Sequence, residues 1–171
     1  MQLDIELDTS TALDGMLASQ NVQADKLAII MRGLPGSGKS YWVEQFIAAQ
    51  PPAVAQQIRQ RGYFSTDNLF YQQGQYQFNA SRLSEYHQRN LTLFIQALAR
   101  SEPIVICDNT NMAYWEYMAY DAAAKALGYR VRIVLIGKPL NDAHQQMCAE
   151  RNQHGVGLKQ ICAMAKQFED F

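Results

Sequence analysis

The sequence predicts an α/β fold: a mainly parallel sheet with helices packed on both of its faces. Three observations carry this reading. The apolar runs at 27–31, 104–107 and 131–136 are too short for helices and long enough for buried strands. Between them lie segments with apolar residues at helical spacing, above all 79–100, where Leu83, Tyr86, Leu91, Phe94, Ile95 and Leu98 share one face. Strand and helix alternate along the chain, which is the pattern of a parallel sheet with crossover helices.

The elements follow in order. The first strand, 27–31 (LAIIM), runs into a glycine-rich turn at 33–38. A helix is expected over 39–49, with Trp42, Val43, Phe46 and Ile47 near one face, and Pro51-Pro52 ends it. A short helix at 53–61 is broken by Gly62, and a second strand at 63–65 leads to Asp67. Asn79 or Ser81 caps the long helix, which runs to about Arg100. Pro103 opens the strand 104–107, and a helix over 113–127 ends at Gly128. The strand 131–136 and a helix over 141–151, capped by Asn141 or Asp142, come next. After a loop at 152–157, a last helix over 158–168 places Leu158, Ile161, Cys162, Ala165 and Phe168 on one stripe.

The length of 171 residues and a hydrophobic content of 48 % fit one domain with an ordinary core. The formal net charge of −1 excludes a nucleic-acid binder held by bulk charge alone. That total hides an asymmetry. Residues 1–25 carry Asp4, Glu6, Asp8, Asp14 and Asp25 with no cation, whereas the body from Lys26 onward is net +4. The chain therefore divides into an acidic N-terminal leader, 1–25, and a domain, 26–171. The leader holds a weakly alternating stretch at 1–7 and a candidate short helix at 12–17. It reads either as a loosely docked tail or as an acidic flap over the basic body. Cys107, Cys148 and Cys162 are an odd number without a Cys-x-x-Cys pair, which excludes a disulfide framework and a cysteine-rich zinc site. No secretory signal and no run of about 20 apolar residues is visible, so a cytoplasmic location is expected.

The most specific signal is Gly33-Leu34-Pro35-Gly36-Ser37-Gly38-Lys39-Ser40, which matches G-x-x-x-x-G-K-[ST] at every fixed position. Glycines let the backbone curl so that successive N–H groups face phosphate oxygens, and the following helix adds its positive end. Lys39 is expected on the β- and γ-phosphates and Ser40 on Mg²⁺. Tyr41 completes the nucleotide-binding set. A strand precedes the loop and a helix follows it, which is the context the motif requires. The alternative, a structural glycine turn, does not ask for the Lys-Ser pair.

Two carboxylates end strands. Asp67 follows the second strand, where ligands of open α/β sheets bind, and fits a general base for an attacking hydroxyl. An Asx turn or helix N-cap is its structural alternative. Asp108 ends an apolar strand in the manner of a metal-orienting Asp, and Asn109, Thr110 and Asn111 follow as polar groups able to orient a phosphate or water. Their alternative is a strand-to-helix turn, with Thr110 or Asn111 as cap. In the segment 150–157, between the fifth and sixth predicted helices, Arg151, His154, Gly155 and Gly157 form a lid candidate, with Arg151 facing transferred phosphoryl charge. A surface arginine favoured at a helix C-terminus is the other reading. His87 reads as a packed, hydrogen-bonded histidine. Tyr71, Tyr76, Phe78, Tyr114, Trp115 and Tyr117 flank the two acidic segments, either stacking on bases or packing under the loops.

GLPGSGKS, STDNLF, VICDNTN and RNQHGV, in this order, resemble the polynucleotide-kinase-like P-loop proteins, over about 27–168. That group includes the phage-type 5′-hydroxyl polynucleotide kinases and small ATPase modules of animal proteins. The resemblance implies a kinase-type P-loop NTPase fold, a three-layer sandwich with a helical lid. It implies ATP and Mg²⁺, with phosphoryl transfer to a hydroxyl. In that scheme Asp67 is the base, and Lys39, Ser40 and Arg151 take the phosphate, metal and lid roles. Asp108 or Asn109 assists the metal or the acceptor pocket. Two positions depart from the phage pattern: Phe70 stands where an acceptor-gripping arginine is expected, and Gly155 where a second lid arginine is. The expected function is an ATP-dependent kinase acting on a polynucleotide 5′-hydroxyl. The alternatives are a small-molecule or nucleotide kinase, or an ATP-binding regulatory module with little turnover.

Overall fold

The computed structural model describes residues 25–170, so the stretches 1–7 and 12–17 singled out in the leader lie outside the described residues. The elements are β1 (Leu27–Arg32), α1 (Lys39–Ala48), α2 (Pro52–Gln57), β2 (Tyr63–Phe64), β3 (Tyr71–Gln72), β4 (Gln75–Tyr76), α3 (Leu83–Ala99), β5 (Ile104–Asp108), α4 (Tyr114–Ala126), β6 (Arg130–Leu135), α5 (Asp142–Arg151) and α6 (Leu158–Ala165). Strands β2, β5, β1 and β6 form one sheet in that spatial order, and every pairing in it is parallel. Strands β3 and β4 form a separate antiparallel hairpin, with Tyr71 opposite Tyr76.

The central strand shows why the layers form. Ala28 and Ile30 point to one face and meet Phe94 and Leu98 of α3 and Tyr117, Tyr120 and Ala124 of α4. Ile29 and Met31 point to the other and meet Val43 and Ile47 of α1 and Ala55 of α2. All four β1 residues are fully buried, each large one stabilising the fold by about 1.5–3 kcal/mol relative to exposure. A third apolar cluster joins Leu34 of the phosphate loop and Met112 to Cys148, Ile161 and Ala165. It seats α5 and α6 on the loop itself. The α/β layers and the helical pair at the site thus agree with the expected P-loop architecture.

Several boundaries differ from the sequence reading for local reasons. The helix expected over 53–61 is α2 followed by a π turn, Ile58–Gly62. Gly62 lies so close to β5 that a Cβ would stand 2.4 Å from the Ile104 carbonyl oxygen, so the chain has to turn there. The last helix stops at Ala165 rather than 168 because the tail is drawn elsewhere. Buried Arg32 donates from Nη2 to the Glu169 carbonyl at 2.6 Å, and its guanidinium lies over the rings of Tyr117 and Phe168. Neither Thr110 nor Asn111 caps α4: its N-cap is Ala113, whose N–H donates to Glu116 Oε2 at 2.8 Å. Among the described residues no helix is long and apolar enough to cross a membrane.

Candidate phosphoryl-transfer site

The loop at 33–40 leaves β1 at the carboxyl edge of the sheet and enters α1. Gly38, the N-cap of α1, has φ of 103°, which a side chain disfavours. Gly36 has φ of 79°, and a Cβ there would stand 2.3 Å from the Cys148 carbonyl oxygen and 2.8 Å from the Asn152 nitrogen. Only glycine lets the end of α5 approach the loop this closely. Lys39 folds back across the curl, its ammonium donating to the carbonyls of Gly33 at 2.9 Å and Leu34 at 3.1 Å. Burial lowers the Lys39 pKa, opposed by the carboxylates of Asp108 and Asp67.

Asp108 closes the other side. One carboxylate oxygen, Oδ2, accepts from Ser40 Oγ at 2.8 Å and from Tyr63 OH at 2.6 Å. The second, Oδ1, is buried and has no hydrogen-bond partner. An orphan carboxylate oxygen beside a serine hydroxyl is a hard-oxygen pair of the type Mg²⁺ takes. Ser40 and Asp108 therefore fit the ion. Burial raises the Tyr63 pKa, and so does Asp108, so the phenol remains a donor.

Asp67 sits in the 3₁₀ turn Thr66–Phe70, directly after β2. That turn is pinned from two sides. The Thr66 N–H donates to Asn109 Oδ1 at 3.0 Å, and Thr66 Oγ1 lies 3.1 Å from His87 Nδ1. The Asp67 carboxylate is half exposed, with Tyr76 OH 3.5 Å from Oδ1 and His154 Nε2 3.8 Å from Oδ2. The Tyr76 and His154 rings lie 4.3 Å apart, so hairpin and lid loop meet over the carboxylate. Burial first, and then Asp67, pushes the Tyr76 phenol up to about 12.

A cavity of about 430 Å³ joins these groups. Lys39, Ser40, Asp67, Asp108, Asn109, Thr110 and Arg151 all line it, with Pro35, Gly36, Gly38 and Tyr41. Asn111 does not line it, against expectation. Its side chain is buried, its amide donating to the Met31 carbonyl at 2.8 Å, and its φ of 48° shapes the turn. Gly33, Leu34 and Ser37 are also absent from the lining. Leu34 is fully buried in the cluster under α5 and α6, where it anchors the loop. Tyr117 is buried, and Tyr114 and Trp115 are exposed on α4 away from the cavity. His87 is hydrogen-bonded to Thr66 as expected, but it lies on the exposed side of α3 rather than packed. His144 and Cys148 meet at 3.4 Å, and no cluster of three metal-ligating side chains exists among the described residues.

Sequence reasoning missed Tyr63. Read as an apolar strand residue, it carries a hydroxyl aimed at Asp108, and only the β2–β5 register, with Tyr63 opposite Ile106, brings the two together. The meeting of Tyr76 and His154 is also hidden, since they stand 78 positions apart in the chain.

A region of human NEDD4-binding protein 2 is 33 % identical over 145 residues, covering 84 % of this chain and 8 % of that protein. A region of human YLP motif-containing protein 1 is 26 % identical over 164 residues, covering 85 % of this chain and 7 % of that protein. The mouse form of the latter is 25 % identical over 161 residues, 11 % of its length. The chain thus spans about a tenth or less of the curated relatives it matches. The family profile described as an AAA domain matches residues 29–171. With a glycine loop ahead of Lys39, a parallel sheet behind it and that match over most of its length, the chain belongs to the AAA_33 family of P-loop domains.

Proposed function

We propose that this domain is an ATP-dependent phosphotransferase of the polynucleotide-kinase-like type, moving the γ-phosphoryl group of ATP to a hydroxyl, with a polynucleotide 5′ end as acceptor. The observation that carries the reading is convergence: Lys39, Ser40 and Asp108, Asp67 and Arg151 line one cavity. A regulatory ATP-binding module has no need of a carboxylate opposite its phosphate cradle.

In the proposed reaction the loop amides and Lys39 hold the β- and γ-phosphates, Lys39 exchanging its present carbonyl contacts for phosphate oxygens. Asp67 accepts the acceptor's proton as the hydroxyl oxygen bonds to the γ-phosphorus. The bond from that phosphorus to the β–γ bridging oxygen breaks, ADP leaves, and the proton passes from Asp67 to solvent. Arg151, at the end of α5, spreads the charge on the transferred group, and such a group typically contributes about 3–4 kcal/mol. Ser40 and Asp108 would hold Mg²⁺, which supplies charge neutralisation on the phosphates when bound.

One observation favours a second reading, a kinase of small neutral hydroxyl compounds. Around Asp67 the cavity is lined by Ser65, Asn68, Tyr71, Asn109, Thr110 and His154, with no lysine or arginine among them.

The test is transfer of γ-labelled phosphate to 5′-hydroxyl oligonucleotides and, in parallel, to a metabolite pool. Label on oligonucleotides, lost in Asp67→Asn with ATP binding retained, supports the proposal. Label on metabolites alone moves the assignment to the second reading. ATP binding with no acceptor, indifferent to Asp67→Asn, leaves the regulatory module.

A further inference from the structure

The cavity that holds Asp67 has two full cations in its lining, Lys39 and Arg151, and both serve the donor phosphates in the reading above. A polynucleotide carries its own phosphates, and a protein that binds one places cations or donors along the backbone. Outside that cavity, the cation nearest the β3–β4 hairpin in sequence is Arg82, six residues after Tyr76.

A second cavity, of about 410 Å³, opens there, lined by Phe70, Gln72, Gln77, Phe78, Arg82 and Tyr86 among others. The two cavities share a wall. The turn Thr66–Phe70 carries Asp67 in the first and Phe70 in the second. Side chains alternate along β3, so Tyr71 lines the first and Gln72 the second.

The lining is suited to a nucleotide. The Arg82 guanidinium lies 4.9 Å from the centre of the buried Tyr86 ring, which holds it in place. Its present partner is Glu85, at 3.2 Å, and both side chains are about half exposed. An exposed pair of this kind is weak, so a phosphate displaces the carboxylate at little cost. Phe78 is 55 % exposed, yet Phe70 packs against it at 5.1 Å. It is a ring supported on one side and bare on the other, as a base-stacking platform is. The Gln72 and Gln77 amides add donors and acceptors for base edges.

We infer that this second cavity is the acceptor's downstream subsite: Arg82 takes the first internucleotide phosphate of a 5′-hydroxyl polynucleotide, and Phe78 stacks the base beyond it. The inference rests on the phosphotransferase reading and narrows its substrate to acceptors of two or more nucleotides.

The test compares a nucleoside, a dinucleotide and a decanucleotide as acceptors in the full chain. In the wild type, KM for the acceptor falls about tenfold or more from nucleoside to dinucleotide. In Arg82→Gln and in Phe78→Leu, which keeps an apolar side chain, that ratio collapses toward one. Arg82→Gln also lowers the slope of log affinity against log salt by about one. Arg89→Gln, on α3 outside both cavities, keeps the wild-type ratio. Transfer to oligonucleotides with the ratio intact in both variants overturns the subsite and spares the phosphotransferase reading. If no oligonucleotide is phosphorylated, fluorescence anisotropy of a labelled 5′-hydroxyl decanucleotide separates the two claims. Binding lost in both variants keeps the subsite while the transfer reading fails, and no binding by the wild type overturns the subsite as well.

Discussion

Asp108 shows how a single carboxylate acquires a direction. Tyr63 and Ser40 both donate to Oδ2, which leaves Oδ1 as the buried oxygen without a partner. Removing the phenol frees the carboxylate to rotate. We expect Tyr63→Phe to weaken metal binding by about tenfold, the lower end of the usual loss on removing an outer-shell partner. Titration of Mn²⁺ by electron paramagnetic resonance in the presence of nucleotide measures it, and metal-free nucleotide affinity provides the comparison. Unchanged Mn²⁺ affinity removes Tyr63 from the site. Asp67 makes the complementary case. Its neighbours Tyr76 and His154 stand at 3.5 and 3.8 Å, beyond firm hydrogen-bond range, so its oxygens stay free to accept a proton. Asp67→Asn keeps the shape and loses the base. Transfer is expected to drop at least a hundredfold, as loss of a general base does, with nucleotide affinity held within about twofold. A variant that binds nucleotide normally and still turns over at the wild-type rate defeats the assignment. At this scale the motif residues were legible, because G-x-x-x-x-G-K-S names its own positions. Tyr63 and the Tyr76–His154 pair were not, because nothing in a tyrosine on a strand says which carboxylate its hydroxyl will face.

Among the elements, the lid pair depends on Gly36. Helices α5 and α6 sit on Leu34, and the end of α5 touches the loop at Gly36. Asn152 closes that end by donating to the carbonyls of Ala149 at 2.9 Å and Val156 at 2.7 Å and accepting from the Val156 N–H at 2.8 Å. Gly36→Ala forces a left-handed conformation on a side chain and drives it into backbone that cannot give way. It is expected to lower stability by about 2 kcal/mol or more and to abolish nucleotide binding. Gly155→Ala is the control. Its φ of 70° carries the same conformational cost, but nothing lies within 4 Å of the added carbon, so the loss stays near 1 kcal/mol. Denaturant unfolding of both variants checks the difference, and equal losses mean that the lid contact contributes nothing. Most elements were legible from periodicity, as with the α3 stripe and the three apolar strands. Their ends were not. The π turn at Ile58–Gly62 and the early stop of α6 arise from β5 and Arg32, which sit far away in sequence.

Across the whole molecule the sheet couples the core to the cavity, since β1 runs into the glycine loop and β5 ends at Asp108. Cys107, one residue before Asp108, is fully buried beside Phe94 and Tyr120, and burial pushes its thiol up to about 12. The folded pKa is raised above the unfolded one, so the thiol's contribution is complete below the ordinary value of about 8.5. It is lost as pH rises from there toward 12. In that window the unfolded chain releases a proton that the folded chain keeps, at about 1.4 kcal/mol per pH unit for this group. Cys107→Ala should therefore show a shallower alkaline decline than the wild type, in unfolding free energies measured between pH 8 and pH 11. Parallel declines count against a neutral buried thiol.

Local pattern alone was enough for the strand–helix alternation, the phosphate cradle and the two carboxylates at strand ends, because hydrophobic periodicity and glycine conformation act over a few neighbouring residues. Folding in three dimensions settled the rest: the spatial order β2-β5-β1-β6, Tyr63 on Asp108, Asn111 turned into the core, and the lid loop set over Asp67. Those outcomes depend on which side of β1 each strand joins and on contacts between segments tens of residues apart. A choice of that kind has no signature in any single stretch of chain.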